Sequence, residues 1–152
     1  MNNITELSDS EFSLLIKQVL PFLYVNPVSG TVCIHAEACK NGIGVNYISS
    51  NVEWENFSSL ADSLKSLYNE LFKEGVPSGK LLFFYPFSKT RKGNHGVIFD
   101  ASCLYDFLVE KHLEIYPEIF NVEMFSFGFY FLEQNMFYGM EHPDFLYTIT
   151  FK

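Results

Sequence analysis

The sequence predicts a single α+β domain, in which about three helices pack against a mostly antiparallel or mixed β-sheet. Three stretches place apolar residues at helical spacing, and several short apolar runs have the length and composition of strands. Because strands joined by short links pair most easily with their neighbours, antiparallel pairing is favoured. The chain of 152 residues has no internal repeat or low-complexity linker, so we expect one globular domain over residues 1–152.

The first helix is predicted over residues 9–20. Ser8 and Glu11 fit a capping box, in which each side chain accepts a hydrogen bond from the backbone of the other residue. Pro21 cannot continue the helix. The apolar residues of this stretch fall at helical spacing, at Phe12, Leu15, Ile16 and Val19.

Residues 31–50 alternate between apolar and polar positions, which predicts a β-hairpin that turns at Asn41 and Gly42. His35 and Glu37 would then lie on the outward face of the first strand. A second helix is predicted over residues 57–71, where an apolar stripe recurs at helical spacing and is expected to face the core. Its caps would be Asn56 or Ser58 at the start and Gly75 at the end.

Residues 80–85 are apolar on both sides, which predicts a central strand of the sheet. A basic loop over residues 88–95 would connect it to a short strand over residues 96–99. The loop contains Arg91, the only arginine of the chain, but it lacks the glycine spacing of a phosphate-binding loop and does not open a helix. It is therefore predicted to be a solvated hairpin tip.

A third helix is predicted after residue 100, with Asp100 or Ser102 as its N-cap. Carboxylates recur there every four residues and would stack along one helical face, at Asp106, Glu110 and Glu114. A strand over residues 120–132, a loop over residues 134–144 and a closing strand over residues 145–151 complete the predicted order of elements.

The net charge of −8 is confined to one part of the chain. Residues 100–144 contain nine of the 18 acidic residues and a single base, Lys111, whereas acids and bases balance in the remainder. A localised excess of this kind is typical of a surface that attracts a basic partner. Ordinary solvated faces on a small acidic protein are the open alternative.

The stretch His35-Ala36-Glu37 resembles the first half of the motif with which zinc-dependent nucleobase deaminases bind metal. The second half, Pro-Cys-x-x-Cys, does not occur, and only Cys103 follows Cys39. Cys33, His35 and Cys39 form no established metal-ligand spacing, and the three cysteines are expected to be reduced thiols. We predict no catalytic residue, metal or cofactor. An enzyme that uses dispersed groups, among them His112, His142 or carboxylate pairs, remains an alternative.

In length, acidity, aromatic richness and lack of a catalytic motif, the chain resembles the immunity proteins of bacterial polymorphic toxin systems, including contact-dependent growth inhibition. The resemblance is one of overall profile and assigns no role to individual residues. It implies a stoichiometric inhibitor of one cognate toxin, which we expect to be basic and of nuclease type. The sequence contains neither a secretory signal nor a long apolar run, so a cytoplasmic protein that binds no membrane is expected.

The charge pattern predicts the partner-binding residues. Carboxylates would face basic groups of the toxin and aromatic side chains would anchor the contact. The predicted set is Asp106, Glu110, Glu114, Glu118, Glu123, Tyr105 and Tyr138. We expect no direct contact with nucleic acid. An inhibitor that imitates nucleic acid with its carboxylates, and so binds many basic proteins, is a further alternative.

Overall fold

The computed structural model describes residues 4–22, 34–49, 59–84, 96–111, 114, 126–141 and 145–151, and these form the predicted α+β fold. The strands are β1 (Thr5–Glu6), β2 (Asn46–Tyr47), β3 (Lys80–Phe84), β4 (Gly96–Asp100), β5 (Ser126–Phe131), β6 (Met136–Glu141) and β7 (Phe145–Thr150). The helices are α1 (Asp9–Val19), α2 (Ile34–Lys40), α3 (Leu60–Leu71) and the short α4 (Leu104–Asp106). The strands make one antiparallel sheet in the order β1-β4-β3-β5-β6-β7-β2.

The sheet is covered by helices on both faces. β3 lies between β4 and β5, and Leu81 and Phe83 point to one face while Leu82 and Phe84 point to the other. All four side chains are fully buried, which confirms the predicted central strand. The first face, here called the α3 face, packs against α3 and residues 101–108. The second, the α1 face, packs against α1 and α2.

The capping box of α1 is present as predicted. The Ser8 backbone N–H donates to Glu11 Oε1 at 2.9 Å, and the Glu11 backbone N–H donates to Ser8 Oγ at 3.2 Å. The hydrogen bond from the Ser8 backbone holds the pKa of Glu11 below its ordinary value. Helix α1 ends at Val19, just before Pro21, and buries Phe12 and Ile16 against the sheet.

Helix α3 confirms the second predicted helix, with small differences at its start. Its N-cap is Ser59, whose side chain accepts a hydrogen bond from the Asp62 backbone at 3.2 Å. The predicted caps Asn56 and Ser58 lie outside the described residues. At the other end Gly75 adopts a φ of 107° and its N–H donates to the Phe72 carbonyl at 2.9 Å. The helix itself ends earlier than predicted, at Leu71 with Phe72 as its C-cap, and Gly75 closes the turn that follows.

The predicted hairpin over residues 31–50 is wrong. Residues 34–40 form α2, and the short β2 pairs with β7 instead of with a strand of its own hairpin. Ile34 and Ala38 are one helical turn apart, and both are buried on the α1 face. In a strand Ala36 would lie on the same face as this pair, but Ala36 is exposed, so the burial pattern fits a helix. Gly42, with a φ of 71°, follows the helix C-terminus, where its N–H donates to the Cys39 carbonyl.

The predicted loop over residues 134–144 is also wrong over most of its length, because Met136–Glu141 forms β6 between β5 and β7. Asn135, with a φ of 53°, lies in the turn that joins β5 to β6. The sequence pattern of β6 is hard to recognise because Gly139 stands at a position where a buried strand usually has a large side chain. A Cβ atom at Gly139 would lie 2.5 Å from Tyr147 Cζ, so neighbouring rings occupy the place of the missing side chain.

The ends of the remaining predicted elements agree with the structure where it is described. The closing strand is β7, and the described part of the strand predicted over residues 120–132 is β5. Phe84 pairs with Gly96, so the chain between them returns to an adjacent antiparallel strand. The basic loop over residues 88–95 itself lies outside the described residues.

Candidate functional site

The segment that contains the predicted acidic row begins at Asp100, whose Oδ1 accepts a hydrogen bond from the Ser102 backbone at 2.9 Å. The predicted continuous α-helix is not formed. A 3₁₀ turn over Ala101–Cys103 leads into the three residues of α4 and then into a π turn over Phe107–Lys111. Because a π turn closes its hydrogen bonds from i to i+5, residues four apart are no longer directly stacked. The predicted stack of carboxylates along an α-helix is therefore wrong.

The π turn has a packing explanation. Leu104, Phe107 and Leu108 are all fully buried on the α3 face, and the ring centroids of Phe107 and Phe99 are only 4.3 Å apart. We infer that the burial of these three side chains determines the backbone geometry of the π turn. The position of the carboxylates on the outer side is a consequence of this packing.

The three predicted acids that the structure describes are all exposed. Asp106 directly precedes the π turn, Glu110 lies within it and Glu114 follows it. Glu114 Oε1 lies 3.8 Å from Lys111 Nζ, which partly neutralises this position. Glu118 and Glu123 lie outside the described residues. Of the predicted carboxylates, Asp106 and Glu110 thus lie at the surface, and their role in binding stays a prediction.

Both predicted aromatic anchors lie on the α3 face and are connected by other rings. Tyr105 is 40% exposed, and its ring meets the edge of Tyr68 at a centroid distance of 5.1 Å. Tyr68 lies 5.5 Å from Phe72, and Phe72 lies 4.9 Å from Tyr138. These four residues, here called the aromatic row, extend from the acidic segment along α3 to β6. The sequence analysis did not predict Tyr68 or Phe72 as part of this surface, because their apolar spacing indicated only core packing.

A cleft of about 390 Å³ lies beside the Tyr105 end of the aromatic row. Tyr68 forms one wall, and the turn before β3 and the end of β4 form the others. Asp100 borders this cleft, and the hydrogen bond from the Ser102 backbone keeps its pKa low, with a smaller contribution from Lys80. The carboxylate of Glu133 lies against Gly79, which also lines the cleft. Asp100 and Glu133 are thus two further exposed acids of the charged segment that lie near the predicted partner-binding surface.

A second cleft of about 390 Å³ lies at the other end of the aromatic row. It is lined by Tyr138 and Thr148, by the edge strand β2 and by the residues after α3. Tyr138 is half-buried, and burial followed by the charge of Glu74 raises the pKa of its phenol. Tyr138 is the residue of the predicted set that lines this cleft.

The His35 motif lies in a different place from the one predicted. His35 and Glu37 belong to the first turn of α2, and the His35 Nε2 atom contacts the Tyr47 hydroxyl. A position at a helix start is compatible with the deaminase arrangement, but the other ligands are not assembled. Cys103 packs on the α3 face, on the far side of the sheet from α2. Among the described residues, no group of three His, Cys, Asp or Glu side chains is close enough to hold a metal ion.

None of the helices in the described part of the chain has the length and apolar character needed to cross a bilayer. In comparisons with known proteins, no family model, no curated protein and no solved structure matches this chain.

Proposed function

We propose that this protein is a cytoplasmic binding protein that neutralises a basic protein partner by stoichiometric contact, in the manner of a toxin-specific immunity protein. The observation that supports the proposal best is the confinement of the net charge to residues 100–144, together with the exposure of Tyr105, Asp106 and Glu110 in the segment that follows β4. The partner would contact the acidic segment and the adjoining end of the aromatic row.

The chemistry of such a contact favours a basic partner. Nucleases and other proteins that act on polyanions present basic surfaces, and an acidic surface accelerates their encounter. Carboxylates alone bind weakly because water and salt screen them. Tyr105 provides the desolvated aromatic area that strong contacts need, and its edge contact with Tyr68 holds the ring in place.

The proposal is tested with the double variant Asp106→Lys/Glu110→Lys and the product of the reading frame immediately upstream as the partner. Each reversal replaces an attraction with a repulsion, and because water and salt screen exposed charges strongly, we expect the dissociation constant to rise at least about tenfold. The remaining affinity should depend less on salt. Isothermal titration calorimetry at several salt concentrations measures both effects.

A matched control reverses Glu6 on β1 and Glu37 on α2, which changes the net charge equally outside the acidic segment. The control should retain nearly all of the affinity. Equal losses in the two double variants, or an unchanged affinity and salt response after reversal of Asp106 and Glu110, would contradict the proposed surface. Capture of many basic host proteins from a lysate, in place of one partner, would indicate a nucleic-acid mimic instead.

A further inference from the structure

The cleft beside β2 is lined by both apolar and polar residues. Met136, Tyr138 and Thr148 lie on β6 and β7, Asn46 belongs to the edge strand, and Glu74 follows α3. A volume of about 390 Å³ is within the range of sites that hold small ligands or single large side chains. The cleft is thus large enough to receive a side chain of a bound partner.

The Tyr138 ring is held firmly in this cleft. One side of the ring packs on Phe72 at a centroid distance of 4.9 Å and an interplanar angle of 31°. Phe131 meets Tyr138 edge-on at 5.3 Å. The ring is half-buried, and its remaining surface borders the cleft. A ring fixed in this way presents a ready surface for a cation or a flat group, with little loss of side-chain freedom on binding.

The two charges at the cleft are not equivalent. The negative charge of Glu74 reaches the Tyr138 hydroxyl, where it adds to burial in raising the pKa of the phenol. Lys73 is held against the other wall, where its Nζ atom donates to the Ser49 carbonyl at 2.6 Å. The Glu74 carboxylate lines the cleft, and the side chains of Asn46 and Thr148 add uncharged hydrogen-bond acceptors.

We propose that this cleft binds an arginine side chain of the basic partner, with its guanidinium against the Tyr138 ring and paired with the Glu74 carboxylate. This inference rests on the proposed function, since it names the side chain that a basic partner would insert. Arginine fits better than lysine because its planar group stacks on aromatic rings and carries five N–H donors for the surrounding acceptors. The aromatic row connects the cleft with Tyr105, so one partner can contact both ends of the same face.

The test uses L-arginine amide as the probe and the full chain labelled for heteronuclear NMR. We expect the largest chemical-shift changes at Asn46, Tyr138 and Thr148. Replacement of the carboxylate in Glu74→Gln should weaken probe binding roughly 3- to 10-fold, as expected for a partly desolvated cation. The variant Lys73→Gln should strengthen probe binding, because it removes a repelling charge. Glu70→Gln, which lies on α3 shortly before Glu74 and does not line the cleft, is the matched control and should change binding little.

Several results would overturn the inference. Shift changes centred on Tyr68 and Asp100 would assign the probe to the other cleft, and unchanged binding in both Glu74→Gln and Lys73→Gln would remove the charge argument. Stronger probe binding in Glu74→Gln together with weaker probe binding in Lys73→Gln, the reverse of the expected pair of effects, would contradict a site for a cation. If the probe fails while reversal of Asp106 and Glu110 still weakens the partner complex, the arginine site is wrong and the proposed function stands. If the probe binds as expected and that reversal has no effect, the proposed surface is wrong.

Discussion

At the residue scale, two glycines determine how the α1 face of the sheet is filled. Gly128 and Gly139 are paired directly across β5 and β6. A Cβ atom at Gly128 would overlap the Phe137 ring, and one at Gly139 would lie 2.5 Å from Tyr147 Cζ and 2.7 Å from Phe137 Cε2. The rings of Phe137 and Tyr147 therefore lie where the glycine side chains would be. These positions require glycine for close packing.

We expect Gly139→Ala to lower the free energy of unfolding by about 1–3 kcal/mol, because the added methyl group must displace buried aromatic rings. Urea denaturation measures the change. Gly44→Ala is the control, since Gly44 is exposed and has no heavy atom within 4 Å of its Cβ position. Equal denaturation midpoints for the two variants would show that the rings yield without cost.

At the element scale, the helices differ in how far local signals determine them. Helix α1 begins with a complete capping box and ends before a proline, so its bounds follow from residues within or next to it. Residues 101–111 instead change from 3₁₀ to α to π geometry while burying Leu104, Phe107 and Leu108. No local pattern predicts that change, because it accompanies packing against distant strands.

The capping box predicts a specific dependence of stability on pH. The pKa of Glu11 is lowered in the folded state, so its contribution to stability is complete above the ordinary glutamate pKa of about 4.3 and is lost as pH falls through the lowered value. Glu11→Gln should therefore be less stable than the wild type at neutral pH, and the difference should shrink below that range. Chemical denaturation at a series of pH values measures this difference.

The variant Ser8→Ala separates the two halves of the box. It removes the side-chain cap and should cost about 1 kcal/mol. The backbone N–H that lowers the Glu11 pKa remains in this variant, so the acid dependence should largely persist. Loss of the acid dependence in Ser8→Ala, or its persistence in Glu11→Gln, would contradict this account.

At the scale of the whole molecule, the sheet separates the predicted partner-binding surface on one face from the His35 motif on the other. The α3 face carries the aromatic row, both clefts and the described acids Asp106 and Glu110 beside it. The His35 contact with Tyr47 lies with α2, on the α1 side. We therefore expect partner contacts to be confined to one side of the molecule.

The localised charge predicts how fast the partner associates. We expect the association rate constant to fall roughly tenfold or more between low and high salt, since electrostatic steering is screened beyond a Debye length of about 10 Å at 0.1 M salt. The dissociation rate constant should change little. Stopped-flow measurements over a salt series give both rates, with the double variant Asp106→Lys/Glu110→Lys as the comparison. An association rate that is insensitive to salt in the wild type would contradict steering by the acidic segment.

Local signals are enough to predict the α+β class, α1, α3, the central β3 and the confinement of the charge, because caps, periodicity and composition act over a few neighbouring residues. Packing in the folded chain makes residues 34–40 a helix and Met136–Glu141 a strand. It also brought together Tyr68, Tyr105 and Tyr138, which are far apart in the chain. In each of these cases burial against distant residues outweighs the local pattern, and that free energy cannot be obtained from a short stretch of sequence.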